Sequence, residues 1–252
     1  MATARPVYDR IGRSYERHRR ADPRIAARIL AALGDATSVV DVGAGAGSYE
    51  PAGRTSVAVE PSRVMVGQRP TDAAPAVRGI AEALPFRAKT FDAAIAILTV
   101  HHWADFRRGM NEMLRVARRR VVVLTWDPDV FARTFWFARD YLPEAVEHEH
   151  GRPTLPDVRA AVETCAVEAV PIPHDCTDGF FGAYWQRPAA YMDPGVRASI
   201  SVLARLGEEA VRPAIERLRT DLSCGEWERR YGHLSRLEEI DLGYRLVTCP
   251  VP

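Results

Sequence analysis

The run Val39-Val40-Asp41-Val42 leads straight into Gly43-Ala44-Gly45-Ala46-Gly47. A β-branched run that meets glycine at every second position reads as a strand entering a sharp turn that opens a helix. Pro51 follows so soon that this helix must be short. Glycine lacks a Cβ, so backbone N–H groups and a helix N-terminus can come up against a ligand. The same glycines could serve the turn alone, and the loop by itself leaves both readings open.

The next acid narrows the choice. Glu60 follows Asp41 by 19 residues and stands at the tip of the next apolar run, residues 56–59. A carboxylate there can accept hydrogen bonds from a ribose diol. The dinucleotide pattern G-x-G-x-x-G would need glycine at 48, where Ser48 stands, and no Gly-Lys-Ser/Thr of a Walker A loop occurs. Glycines at 43, 45 and 47 suit a nucleoside without a pyrophosphate.

Apolar strands alternating with helices extend the pattern. Asp22-Pro23 predicts a capped helix carrying Ile25, Ile29, Leu30 and Leu33 to Gly34, and Ser62 predicts a short one to about Gln68. The apolar runs 92–98 and 120–125 flank a helix at 105–116 with Phe106, Met110, Met113 and Leu114 on one side. Strands apolar on both faces and separated by helices imply a parallel sheet covered on both sides. After Trp126 prolines break the rhythm, and residues 194–222 read as helical before a last strand near 240–248. The expected division is a helical N-terminal lid (1–37), a core (38–126), a helical cap (127–239) and the final strand (240–252).

Composition closes off other classes. The 252 residues are 47% hydrophobic with a net charge of +1, so disorder is excluded and no global field steers the chain to nucleic acid or lipid. The apolar runs 93–98 and 121–124 fall far short of the ~18 residues of a membrane span. No secretory signal is visible at the N-terminus. Cys165, Cys176, Cys224 and Cys249 are scattered without a C-x-x-C pair, which predicts reduced thiols and a cytoplasmic setting.

Four stretches in order, VVDVGAGAGSY (39–49), VAVEPSRVM (57–65), GIAEALPF (79–86) and FDAAIAILTVHHW (91–103), resemble class I S-adenosylmethionine-dependent methyltransferases. EMLRVARRRVVVLTW (112–126) extends the likeness, and residues 8–15 look like the family's N-terminal lid. Within that class the chain is most similar to the ubiquinone/menaquinone C-methyltransferases and related small-molecule enzymes. The resemblance implies a Rossmann-like, seven-stranded, mostly parallel sheet with S-adenosylmethionine as cofactor. It also implies roles. Gly43, Ala44, Gly45 and Gly47 would run beside the methionine moiety, with Asp41 near its ammonium and Tyr15 near its carboxylate. Glu60 would hold the ribose hydroxyls, Pro61 and Met65 would flank the adenine, and Ala81 and Glu82 would lie along its edge. Leu98 would sit under the sulfonium. Where many relatives carry an acid for the adenine amino group, this chain has Ile80, so backbone and water or Glu82 would take that part. Arg118-Arg119-Arg120 replaces the usual Pro-Gly-Gly turn, as a solvated helix end or an anion patch.

Methyl transfer from a sulfonium is an in-line displacement that depends on alignment and shelter from water, so a base is optional. His101 and His102 follow the fourth strand at the edge where open α/β sheets bind ligands. Either one is a candidate base for a hydroxyl acceptor, or the pair simply packs against cofactor and loop. Trp126 is a candidate aromatic wall and Asp127 a helix cap. In residues 174–185, His174, Tyr184 and Trp185 are candidate substrate contacts, or part of an insertion packing on the domain. Glu147-His148-Glu149-His150 is a weak metal signal, read as surface. The expected function is methylation of a small molecule, without nucleic acid, membrane or metal. The alternatives are a non-catalytic nucleoside-binding protein on the same fold and a protein methyltransferase.

Overall fold

In the computed structural model, which describes residues 8–12, 18–51, 53–162 and 164–251, Asp22 caps the first long helix as the sequence predicts. Its carboxylate accepts from Arg24 N at 3.0 Å, and Pro23 fills the first turn. This helix is α2 (Pro23–Leu33), after a single turn α1 (Tyr8–Ile11). The chain then alternates through β1 (Val39–Val42), β2 (Thr55–Val59), α3 (Arg63–Val66), β3 (Ala76–Val77), β4 (Phe91–Ile97), α4 (Phe106–Val116) and β5 (Ala117–Trp126).

With β6 (Ala166–Ala169) and β9 (Tyr244–Pro250) these strands form one seven-stranded sheet in the order β3-β2-β1-β4-β5-β9-β6. Neighbours from β3 to β5 are parallel, whereas β9 runs antiparallel to both β5 and β6. Alternate residues of each central strand enter opposite layers, as the pleat requires. Val39, Ala93, Ile95, Val122 and Leu124 pack toward α2 and its Ile25, Ile29 and Leu33. Val40, Val42, Ala94, Ala96, Val121 and Val123 pack toward Met110, Met113 and Val116 of α4. The sheet order reverses between β1 and β4, and the crevice beyond their carboxyl ends is where such a sheet binds ligands.

Beyond β5, Asp127 caps α5 (Pro128–Thr134), accepting from Asp129 N at 3.0 Å and Val130 N at 3.1 Å. Further helices follow, among them α6 (Glu144–Glu149), α7 (Leu155–Ala161), α8 (Pro194–Ser199), α9 (Ser201–Leu206) and α10 (Glu208–Ser223). They bury an aromatic cluster that includes Trp136, Phe137, Tyr191 and Trp227, with Phe137 and Tyr191 stacked at 4.3 Å. No helix among the described residues is long and apolar enough to cross a membrane.

Four local expectations are corrected. The segment 127–239 is not helical throughout, because β6 lies inside it as an exposed edge strand whose four residues carry no apolar alternation. The last strand begins at Tyr244, since Asp241 accepts from Gly243 N at 2.7 Å and turns the chain there. Residues 239–240 pair instead with Ile172–Pro173. Arg118, Arg119 and Arg120 lie within β5 rather than at a helix end, paired with Asp92 and Asp35. Finally, Cys165 and Cys249 are not free thiols but a disulfide, with Cα atoms 4.3 Å apart. They are 84 residues apart in sequence, and only the β6–β9 register, Ala166 opposite Thr248, makes them neighbours. Cys176 and Cys224 are free.

Candidate functional site

At the tip of β1 the glycine loop folds over β2: Gly43 N and Ala44 N both donate to Val59 O, at 2.8 and 3.2 Å. Gly43 has φ +75°, and a Cβ built on it would lie 2.2 Å from Thr99 Oγ1. No other residue fits that turn. Glu60, at the end of β2, locks the loop from the other side. Its Oε2 accepts from Gly45 N at 2.9 Å and its Oε1 from Ser62 N at 2.8 Å. Burial raises the Glu60 carboxyl, and these two amides hold it back. Asp41 is also buried but accepts no hydrogen bond from a described residue. Desolvation, with Glu50 and Glu60 nearby, pushes its carboxyl up to about 8. Behind the loop Glu50 is ion-paired with Arg69.

These elements surround a cavity of about 470 Å³ at the carboxyl ends of β1 and β4. Asp41, Gly43, Ala44, Gly45, Glu60, Pro61, Met65, Ala81, Glu82 and Leu98 all line it. Gly47 does not. It closes the turn through its N–H to Ala44 O at 2.9 Å. Tyr15 lies outside the described residues. Glu82 is partly committed, since its Oε1 accepts from Ala104 N and Asp105 N at 2.8 and 3.1 Å. Leu98 carries the most telling backbone: φ is +51°, in the left-handed region, while its N–H is held by Leu124 O at 2.9 Å. Such strain at a non-glycine residue costs of order 1–3 kcal/mol and gathers at functional sites.

His101 and His102 form a short 3-10 turn, Val100–His102, just beyond Leu98. Burial, together with Arg205, Arg152 and Arg19, drives the His102 ring down to about 3, and His101 is also lowered well below its usual value. His102 Nε2 lies 3.0 Å from Tyr8 OH, and its Nδ1 lies 3.5 Å from Arg205 Nη1. A neutral ring that accepts from arginine at Nδ1 carries its proton on Nε2 and has no lone pair left. His101 turns the other way, edge-on to Trp126 at 4.7 Å.

There a second, smaller chamber of about 100 Å³ opens. Trp126, Phe131, Phe180, Phe181, Tyr244 and Val202 supply its apolar wall. It shares Tyr8, Arg19 and Leu98 with the larger cavity, so the strained leucine stands at the junction. Among the described residues no group of three or more His, Cys, Asp or Glu is placed to hold a metal ion.

The family model described as "Methyltransferase domain" matches residues 40–125. A protein of Anabaena variabilis, solved and assigned as a methyltransferase of an antibiotic biosynthesis pathway, is 33% identical with a TM-score of 0.85. The match covers 92% of this chain and 98% of that one. This chain belongs to the class I S-adenosylmethionine-dependent methyltransferases. A Thermotoga maritima S-adenosylmethionine-dependent methyltransferase has the same fold at 16% identity, TM-score 0.58, covering 97% of this chain and 98% of that one. So does phosphoethanolamine N-methyltransferase 2 of Haemonchus contortus, in complex with S-adenosylmethionine: 13% identity, TM-score 0.59, 100% of this chain and 60% of that one. No curated protein matches the sequence.

Three expected substrate contacts of this methyltransferase do not reach either cavity. His174 is exposed and tied to Glu238 O at 3.1 Å, beside the small β7–β8 pair of Ile172–Pro173 and Glu239–Ile240. Trp185 is fully buried, its Nε1 donating to Ile172 O at 3.0 Å, and Tyr184 packs on Tyr191 under Arg187. The 3-10 turn Phe181–Tyr184 explains the split, because it sends Phe181 into the chamber and Tyr184 into the cap. Tyr8 belongs to the stretch read as a lid, whereas Arg19, Phe131, Arg152, Arg205 and Tyr244 were missed. No local motif marks them, and only packing against the strand ends brings them to the site.

Proposed function

We propose that this methyltransferase acts on a small molecule held in the chamber, with its accepting atom at the junction beside Leu98. The observation that carries this reading is the largely apolar chamber that shares Tyr8, Arg19 and Leu98 with the cofactor cavity. At about 100 Å³ it is smaller than the ~150 Å³ that admits benzene, so a ring would extend into the junction rather than sit wholly inside.

S-adenosylmethionine supplies an electrophilic methyl group on a sulfonium. The residues present fit this cofactor. The cavity of about 470 Å³ falls within the ~300–1,000 Å³ usual for such sites. Asp41 offers a buried carboxylate with no competing donor, suited to an ammonium. Glu60 keeps acceptor capacity on both oxygens for the ribose hydroxyls while its amide contacts fix its direction. Pro61, Met65 and Ala81 offer flat apolar contact for the adenine, and Ile80, 46% exposed, leaves its amino edge open to water.

His101 and His102 serve as a neutral wall rather than as a base. Arginines on one side and burial on all sides disfavour the imidazolium that a base must become. Alignment and exclusion of water then carry the rate. Incubation with methyl-labelled cofactor and a metabolite extract tests the function. Label should appear in small-molecule products; label confined to protein would overturn the reading.

A further inference from the structure

The junction between the two cavities holds more positive charge than its own carboxylates match. Arg205 and Arg152 both lean on Glu149, the single carboxylate within ion-pair reach of either among the described residues. Arg205 is 8% exposed, Glu149 14% and Arg152 33%, so this is a group of three, buried at Arg205 and half-buried at Arg152, with an excess of one positive charge. Arg19, the third arginine there, is already matched by Asp178 at 2.6 Å. His101 and His102 bring no negative charge, and the Tyr8 hydroxyl stays protonated because burial raises it. Three polar atoms of the group are also without a hydrogen-bond partner among the described residues: Arg205 Nε, His101 Nδ1 and Glu149 Oε2, the last 3.5 Å from Arg152 Nε. A buried cation in excess is costly unless an anion joins it.

One helix links this charge to the chamber. Ser201 and Val202 of α9 line the small chamber, and Arg205, one turn on, lines the cofactor cavity. An acceptor lying along α9 would meet apolar wall at one end and guanidinium at the other. Resting on the small-molecule reading above, we propose that the acceptor is a small oxyanion whose apolar body fills the chamber and whose charge rests on Arg205 and Arg152. Guanidinium groups suit this task because their fixed forks match carboxylate or phenolate oxygens and remain charged at every working pH. Glu149 tunes the pair by cancelling one of its two charges.

The test is binding of matched probes to the protein saturated with S-adenosylhomocysteine. One arm compares benzoate with benzamide, the other 4-nitrophenolate with nitrobenzene, and the arm that responds identifies the oxyanion. At least one anion should bind about tenfold or more tighter than its neutral partner. Arg205→Gln should abolish that preference and Arg205→Lys restore part of it. Glu149→Gln should strengthen anion binding, the reverse of what loss of a merely structural ion pair would do. The S-adenosylhomocysteine dissociation constant should stay unchanged in all three variants, which also shows that they fold. The proposal is overturned if neither anion is preferred, or if Arg205→Gln weakens S-adenosylhomocysteine instead, which would give the arginine to the cofactor carboxylate. Failure of the small-molecule reading looks different: filling the chamber by Val202→Phe would leave the binding of every probe, charged or neutral, as it was.

Discussion

The larger cavity and the smaller chamber meet at Leu98 yet are assembled in different ways. The cofactor side is built largely from strand ends and the turns that follow them. Gly43 N and Ala44 N donate to Val59 O, and the Glu60 carboxylate accepts from Gly45 N and Ser62 N. The chamber side is gathered from residues far apart in sequence, from Leu98 and Trp126 through Phe131, Phe181 and Val202 to Tyr244. A backbone cradle tolerates little change, because one added Cβ at Gly43 collides with Thr99. A wall of packed side chains can change its shape one residue at a time.

Breaking the cradle should have the largest effect. Glu60→Ala removes the acceptor for Gly45 N and Ser62 N as well as the proposed ribose contact. At roughly 1.5–3 kcal/mol for each charged hydrogen bond, cofactor affinity should fall tenfold to a hundredfold or more. Calorimetry with S-adenosylhomocysteine measures it, and an unchanged dissociation constant would reduce Glu60 to a strand-end acid. Filling the chamber should be felt on the other side only. Val202→Phe should lower kcat/KM for the acceptor by about tenfold, as overpacking costs roughly 1–3 kcal/mol. Cofactor affinity should remain as it was; a parallel loss of both would show that the two sides are one unit.

Asp41 should show a smaller, pH-dependent effect. Its folded carboxyl titrates near 8 against about 3.8 when unfolded, so the cofactor-free protein keeps that proton between those values. The folded state then binds more protons than the unfolded one, and stability falls as pH rises through this window. An ammonium beside Asp41 reverses the preference. Cofactor binding near pH 7 should release about one proton, visible as a dependence of binding heat on buffer ionisation enthalpy. Asp41→Asn should abolish that dependence. The histidines should matter least to the chemical step. General-base loss typically costs about 10²–10⁴ in rate, whereas His101→Asn should change the maximal rate by less than about tenfold. A larger fall, with an imidazole titration in the pH–rate profile between 6 and 8, would restore it as the base.

The two sides also differ in how legible they were. Glycines at 43, 45 and 47, the acid at 60 and the apolar runs between them specify strand, turn and strand from neighbours in sequence. Ten of the twelve expected cofactor residues therefore line the larger cavity. Of the chamber's lining, Leu98, His101 and Trp126 were legible, because they stand just past β4 and at the end of β5. His174, Tyr184 and Trp185 have the composition of a binding wall, but composition does not say which side of a 3-10 turn faces inward.

What the sequence determined by itself was the local chemistry: a strand that must turn without side chains, a carboxylate at the next strand tip, and helices that begin at Asp22, Ser62 and Asp127. These depend on contacts within a few residues, which spacing and capping encode directly. The tertiary structure decided what depends on distance along the chain. The register of β6 on β9 joined Cys165 to Cys249, and packing over the strand ends set Arg205 and Arg152 on one Glu149. It also left Leu98 strained between two cavities. Such arrangements arise from the burial of a whole surface, and no single segment carries that information.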